Sequence, residues 1–90
     1  MWRVLEEHAA VKAIDKLPRH VLTNYEAWRA IVLQSGPQGL RMIKSFHDEK
    51  LAGRLKHLRS SRLSQQWRVI YSVEADIVTV RVERITAHVY

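Results

Sequence analysis

The sequence contains no cysteine, and only three glycines and two prolines occur among its 90 residues. Without cysteine it can form neither a disulfide framework nor a zinc site with cysteine ligands. It has no Gly-rich phosphate loop, no Ser-His-Asp order and no metal-ligand spacing, so we expect neither a metal nor another cofactor. No apolar run is long enough to cross a bilayer, and Glu6 and Glu7 stand where a signal peptide would be basic and then apolar. We therefore expect a soluble, cytoplasmic protein without a membrane partner.

The length and composition indicate one globular domain over residues 1–90. Apolar residues make up 47% of the chain, including three Trp and three Tyr, which is too much for a disordered segment. A chain of this length has room for a single modest core. No repeat, low-complexity tract or linker divides it.

The positive charge is confined to one part of the chain. The stretch from Arg41 to Arg68 contains eight Lys or Arg residues but only Asp48 and Glu49 as acids, whereas the rest of the chain is balanced at seven of each sign. The net charge of +6 therefore belongs to this stretch. Such clustering is typical of a surface that binds a polyanion, most often nucleic acid. The alternative is a solvated basic face without a partner.

Apolar periodicity predicts a helical hairpin after a short strand. Trp2 to Leu5 can form an edge strand, and His8 to Leu17 has helical spacing. Pro18 separates this helix from a second one, which ends at Ser35-Gly36-Pro37. The second helix carries one apolar stripe. Its members are Val21, Leu22, Tyr25, Trp28, Ile31 and Val32.

The C-terminal half predicts the sheet that this stripe covers. Trp67–Glu74 and Ile77–Ile85 are rich in β-branched and aromatic residues, and a two-residue turn at Ala75-Asp76 would join them. Gly53 to Leu63 adds a third antiparallel strand, and Gln38 to Ala52 is expected to be a loop. In this register Val73 faces Val78, Tyr71 faces Val80 and Val69 faces Val82 on the helix side. Arg68 opposite Glu83, Ile70 opposite Arg81 and Ser72 opposite Thr79 form the polar side. The expected fold is α+β: a two-helix hairpin on one face of a twisted antiparallel sheet of three to four strands.

One spacing pattern is similar to a known family. It consists of Gly53, Arg62, Trp67 and Arg68, followed by Val-Ile-Tyr and a late His-x-Tyr at His88 and Tyr90. The segment LAGRLKHLRSSRLSQQWRVIY carries most of the likeness. This pattern resembles the RelE/ParE toxin superfamily, in particular its HigB and YafQ branches, and the resemblance extends from Glu49 to Tyr90.

The resemblance implies a microbial RNase-like fold with an active, concave sheet face. Such toxins are mRNA interferases that cleave mRNA in the ribosomal A site without a metal, and a cognate antitoxin silences them. The 2′-hydroxyl attacks the adjacent phosphate, which requires a base, an acid and cations near phosphorus. The partners implied here are therefore an antitoxin, the ribosome and mRNA.

The family roles are assigned to matching positions of this chain. Glu49 matches a loop residue that serves as base or base-helper, Arg68 matches the strand arginine at the scissile phosphate, and His88 matches a terminal catalytic histidine. Arg62 and Tyr90 complete the catalytic set, while Gln66 stands where YafQ has an Asp. Arg62 and Arg68 share a face only if the turn at Ser64 has an odd register. The residues expected to hold the RNA backbone are Lys50, Lys56, His57 and Arg59.

Two other functions remain open from the sequence. A ParE-type toxin has the same fold but inhibits DNA gyrase and has no nuclease residues. A plain RNA-binding module needs only the basic surface. The combination of Glu49, Arg68, His88 and Tyr90 favours the endoribonuclease over the gyrase inhibitor, which needs none of them as a set. The small chain and the lack of exposed aromatic stacking pairs argue against a plain RNA-binding module.

Overall fold

The computed structural model describes residues 1–87, which form three α-helices and five strands. The helices are α1 (His8–Ile14), α2 (Arg19–Ser35) and α3 (Pro37–Arg41). The strands are β1 (Arg3–Glu6), β2 (Glu49–Lys50), β3 (Arg59–Arg62), β4 (Arg68–Glu74) and β5 (Thr79–Thr86). Short 3-10 turns lie at Lys44–Phe46, Gly53–Leu55 and Ala75–Ile77. Among the residues described, no helix has both the length and the apolarity needed to cross a membrane.

The strands form a single sheet in the order β1-β5-β4-β3-β2. The pairs from β5 to β2 are antiparallel, whereas β1 pairs in parallel with β5. The predicted α+β class is confirmed, and so is the N-terminal edge strand. The sheet has five strands rather than three to four, because β2 and β1 extend its two edges.

The core lies between α2 and one face of this sheet. Tyr25 and Trp28 stack with 5.7 Å between their ring centroids, and Trp28 meets Tyr71 edge-on at 5.4 Å. The predicted stripe of α2 therefore covers the apolar side of β4 and β5, as expected. The buried cluster also includes Val21, Val32, Leu40, Val69, Val80, Val82 and Ile85.

Gly36 joins α2 to α3 and allows the N-terminus to pack against this junction. Its φ of 75° lies in the region that favours glycine, and a Cβ there would stand 2.5 Å from Nε1 of Trp2. Any side chain at this position would therefore displace the Trp2 indole. The predicted stop signal at Ser35-Gly36-Pro37 thus turns the chain, and Pro37 starts α3.

The predicted register between β4 and β5 is wrong by two residues. The connection is not a two-residue turn, because Ala75–Ile77 form a 3-10 turn and Val78 follows with a φ of 50°. Val73 therefore pairs with Val80 rather than Val78, and Tyr71 pairs with Val82 rather than Val80. A bulge between Ile70 and Tyr71 then shifts the ladder again, so that Val69 pairs with Ile85 rather than Val82.

The corrected register also changes the polar-side pairs and the position of Val78. Arg68 pairs with Thr86 rather than Glu83, Ile70 with Arg84 rather than Arg81, and Ser72 with Arg81 rather than Thr79. Val78, expected in the core, is 38% exposed, since it belongs to the turn. The shift by an even number of residues left Val80 and Val82 on the helix side.

The segment before β3 contains more structure than predicted. Residues 38–52, expected to be a loop, include most of α3, a 3-10 turn and β2. The third strand begins at Arg59 rather than near Gly53, because Gly53–Leu55 form a 3-10 turn. Elements of two to five residues have too little periodicity to be recognised from sequence.

Candidate nucleic-acid interface

Arg62 and Arg68 are direct cross-strand partners on β3 and β4. The odd register that this requires is produced by the turn between them, where the backbone N–H of Leu63 donates to the carbonyl of Trp67 at 2.8 Å. The Ser64 hydroxyl accepts from the Trp67 N–H at 3.1 Å and so holds the same turn. Like charges directly opposite each other in a sheet repel. The fold therefore places two cations together at a cost in stability.

The face that carries these arginines continues across four strands. Glu49 pairs with Ser60, Ser60 with Ile70, and Ile70 with Arg84. Cross-strand partners share a face, and alternate residues of a strand return to it. We call the side of the sheet that bears Arg62, Arg68, Glu49 and Arg84 the polar face. Glu49 is a diagonal neighbour of Arg62, a relation that places Cα atoms about 7–8 Å apart.

Charge on the polar face is balanced at one end and unbalanced at the other. Arg81 donates to Glu74 at 3.1 Å and to Glu7 at 3.2 Å. By contrast, neither Arg62 nor Arg68 forms an ion pair with any residue in the described part of the chain. The Nε of Arg62 is buried, and residues 1–87 offer it no acceptor. Because neither guanidinium has a carboxylate partner among these residues, this end of the face is suited to an anionic ligand.

Asp48 is the centre of a buried hydrogen-bond network on the other face. Its side chain is fully buried, and Oδ2 accepts from Nη2 and Nε of Arg59 at 2.8 and 3.1 Å. Oδ1 accepts from the hydroxyls of Ser61 at 2.6 Å and Tyr71 at 2.5 Å. Burial, the hydrogen bond to Asp48 and its charge raise the pKa of Tyr71 above its usual range. Burial opposes the Arg59 cation, but hydrogen bonds and the Asp48 charge outweigh it and raise the pKa of Arg59.

The network places Arg59 away from the polar face. Arg59 pairs with Tyr71 and with Lys50, whereas Ser60 pairs with Glu49. Since successive residues of a strand point to opposite faces, Lys50 and Arg59 lie on the helix side at the β2 edge. Lys56 and His57 are exposed in the loop before β3. The structure thus brings Glu49, Arg62 and Arg68 to one face, whereas Lys50 and Arg59 lie on the other.

The remaining sequence candidates are Gln66, His88 and Tyr90. Gln66 is exposed in the turn between β3 and β4. His88 and Tyr90 lie outside the described residues. Asp48 was missed by the sequence reasoning, because its partners Arg59, Ser61 and Tyr71 are separated from it by 11 to 23 positions. A lone Asp within a basic stretch was its only signal.

Comparison with known proteins shows the fold. No family model and no curated protein matches the chain. The RelE–RelB complex from the archaeon Pyrococcus horikoshii OT3 is 26% identical with a TM-score of 0.73, covering 94% of this chain and 92% of that one. A YoeB/ParE toxin from Agrobacterium tumefaciens (11% identity, TM-score 0.77) covers 97% and 99%. YafQ from E. coli (17% identity, TM-score 0.73) covers 96% and 92%. These matches confirm the resemblance to RelE/ParE-like toxins.

Proposed function

We propose that this chain, whose fold is that of the RelE/ParE-like toxin superfamily, is the toxin of a type II toxin–antitoxin system. Several of the similar solved structures are toxin–antitoxin complexes, including RelBE2 from Mycobacterium tuberculosis and YoeB–YefM from Staphylococcus aureus. The activity that we propose is ribosome-dependent endonucleolytic cleavage of mRNA. A cytoplasmic site of action follows from that substrate.

The observation that carries this proposal is the unpaired Arg62–Arg68 couple. Two guanidinium groups on adjacent strands, without carboxylate partners among residues 1–87, repel each other until an anion lies between them. A phosphodiester fits this position, because guanidinium groups bind phosphate through paired, charge-assisted hydrogen bonds. The salt-bridged Arg81 end of the face offers no comparable charge.

The proposed chemistry needs no cofactor. The 2′-oxygen of a ribose attacks the adjacent phosphorus, the bond from phosphorus to the 5′-oxygen breaks, and a 2′,3′-cyclic phosphate remains. Glu49, beside Arg62 on the polar face, is assigned to take the proton of the 2′-hydroxyl. His88 is assigned to give a proton to the departing 5′-oxygen, and Tyr90 to stack on a base or donate a hydrogen bond. Arg62 and Arg68 would stabilise the charge that builds on the phosphate oxygens.

RNA binding is assigned to the exposed loop rather than to every basic residue. Lys56 and His57 are exposed and can contact RNA backbone. Lys50 is exposed at the β2 edge on the helix side, where it can reach ribosomal RNA outside the cleavage site. Arg59 is held by Asp48, so we assign it a structural role in place of the one expected from the sequence.

The test is cleavage of an mRNA programmed on purified ribosomes. The full chain should cut the mRNA within the ribosome-bound region and leave a 2′,3′-cyclic phosphate on the 5′ fragment. Cleavage products with a free 3′-hydroxyl would contradict the mechanism. Intact mRNA together with inhibited DNA gyrase supercoiling would show that the ParE-type alternative is correct.

A further inference from the structure

The strand that carries Glu49 has little to hold its own register. β2 consists of Glu49–Lys50 alone, lies at the edge of the sheet and pairs only with β3. Both residues are exposed. The register of a strand is strongly specified where one of its faces is buried and weakly specified otherwise. The two side chains of β2 therefore do not by themselves determine which of them lies on the polar face.

A slip of one residue along β3 would exchange the two side chains of β2. In the observed register Glu49 pairs with Ser60 on the polar face. Lys50 pairs with Arg59 on the helix side. Because successive residues point to opposite faces, a shift by one position would bring Lys50 opposite Ser60 and turn Glu49 to the helix side. The proposed base would then be replaced by a further cation beside Arg62.

Asp48, the residue before β2, supplies the buried side chain that β2 lacks. In the observed register Asp48 stands opposite Ser61, whose hydroxyl donates to Oδ1 at 2.6 Å. Arg59 and Tyr71 donate to the same carboxylate from the same side of the sheet. A slip by one residue would take the carboxylate away from these donors, and a buried carboxylate without partners is strongly unfavourable. The hydrogen bonds of Asp48 therefore select the observed register.

The backbone before Asp48 is also held in an uncommon conformation. His47 has a φ of 45°, in the left-handed region that residues with a Cβ rarely adopt. The residues on either side of it, Phe46 and Asp48, both have buried side chains. Uncommon backbone conformations persist where the surrounding contacts determine them. The entry into β2 is thus fixed by buried contacts and not by the preference of His47.

We propose that Asp48 is a positioning residue, which sets the register of β2 and so places Glu49, rather than Lys50, on the polar face beside Arg62. The role of Glu49 as the base rests on the proposed function, whereas the register rests on the bonds of Asp48. A buried ion pair often stabilises a fold no more than apolar residues of the same volume do. What the pair with Arg59 adds at this edge is a single arrangement of the strand.

The register is observed by NMR in the full chain without RNA. The variant is Asp48→Asn, which keeps the volume of the side chain but replaces one acceptor by an N–H donor. Nuclear Overhauser contacts between Glu49 and Ser60 report the register, and the order parameter of the Glu49 amide reports how firmly β2 is held. The controls are Asp15→Asn, which removes an exposed carboxylate, and Val32→Ala, which lowers stability through the core.

In the wild type and in both controls, Glu49 should contact Ser60 with an order parameter of about 0.85, the value of rigid backbone. In Asp48→Asn the contact should be lost or shared with Lys50, and the order parameter should fall below about 0.6. An unchanged contact and order parameter would overturn the proposal. If Asp48→Asn does not fold, Tyr71→Phe removes a single bond to the carboxylate and should produce smaller changes in the same direction. No change in Tyr71→Phe would then overturn the proposal.

Cleavage on ribosomes tests separately whether this register serves the reaction. Asp48→Asn should lower kcat about ten- to hundredfold, because a misplaced base accepts the proton of the 2′-hydroxyl poorly, and should change KM less than about twofold. Glu49→Gln alone should lower kcat at least as much. Adding Glu49→Gln to Asp48→Asn should lower it no further, since the two residues act through one group. Val32→Ala, measured where it is fully folded, should cleave at the wild-type rate.

The two readouts separate the register from the nuclease. Additive losses from Asp48→Asn and Glu49→Gln would show that Asp48 does not act through Glu49 and would refute its role in the reaction. A wild type that cuts no RNA would refute the proposed function. The NMR contacts of Glu49 would still decide whether Asp48 sets the register of β2.

Discussion

The carboxylate of Asp48 is held by the guanidinium of Arg59, with 2.8 Å between Oδ2 and Nη2. Because Asp48 directly precedes β2, this pair attaches the edge of the sheet to β3, and Tyr71 extends the attachment to β4. The position of Glu49, the proposed base, therefore depends on a buried charge one residue away. Arg59, which the sequence suggests as an RNA contact, forms an ion pair with a buried carboxylate that supports this edge of the sheet.

Replacing Asp48 by Ala should destabilise the protein by about 3 kcal/mol. This is the lower end of the range for breaking a buried pair, since the Arg59 side chain keeps 20% of its exposure and can be partly hydrated. Asp48→Asn should cost less, because the amide oxygen still accepts hydrogen bonds. Urea unfolding followed by circular dichroism measures both values. A matched change at an exposed acid, Asp15→Ala, should alter the free energy of unfolding by less than about 0.5 kcal/mol. Equal stabilities of Asp48→Ala and Asp15→Ala would show that the network contributes nothing.

The free energy of unfolding should fall as the pH rises above about 10, the pKa of an unfolded tyrosine. Burial and hydrogen bonds to carboxylates raise the pKa of both Tyr25 and Tyr71, so the folded protein keeps protons that the unfolded chain releases. The stabilisation is complete below pH 10 and is lost at up to about 1.4 kcal/mol per pH unit for each tyrosine. Tyr71→Phe should be less stable at pH 7 but lose stability less steeply between pH 10 and 11. An unchanged slope in Tyr71→Phe would contradict the assignment.

Arg68→Ala should lower mRNA cleavage on ribosomes about 10²–10³-fold, as expected when one electrostatic donor is removed from a transition state. The variant should gain stability rather than lose it, because the repulsion with Arg62 disappears. Arg19→Ala, which removes an exposed arginine at the start of α2, should leave cleavage unchanged. Should Arg68→Ala be unstable as well as inactive, its arginine would be structural and the phosphate site would be misplaced.

His88→Ala should lower cleavage about 10²–10⁴-fold, the usual range for a general acid or base. The remaining activity should lose one limb of its pH profile, a result that a merely structural histidine would not produce. Ribosome association, measured by sedimentation, should persist because Lys56 and His57 are unchanged. A variant that keeps both its toxicity and its pH profile would exclude His88 from proton transfer.

The sequence predicted the α2 stripe and the apolar sides of β4 and β5 well, since both depend on local periodicity. It failed at the turn between β4 and β5. Val78 adopts a positive φ that a β-branched residue rarely takes, so the conformational preferences of the residues in this segment do not indicate the longer turn. The bulge after Ile70 could not be predicted from the sequence either, because it depends on the pairing of two strands and not on either strand alone.

For the candidate site, too, the sequence predicted local features but not contacts between distant residues. Arg62 and Arg68 were named as candidates from a spacing pattern, but only the five-residue turn between them determines that they share a face. The pairing of Arg59 with Asp48 was not predicted, because a basic residue in a basic stretch gives no sign of a buried carboxylate 11 positions earlier. Long-range polar contacts of this kind are tertiary properties that composition and periodicity do not encode.

The parallel pairing of β1 with β5 determines the order in which the molecule can be completed during synthesis. Arg3–Glu6 leave the ribosome first among the strands, yet their partners, residues 79–82 of β5, belong to the last strand of the described chain to emerge. β5 also separates β1 from β4, so a nascent chain that lacks it has two unpaired strand edges and an open core. Contacts between residues so far apart in the sequence form slowly, and they cannot form step by step while the chain emerges. The translating ribosome should therefore carry an unfinished protein, without an assembled sheet, until β5 is released.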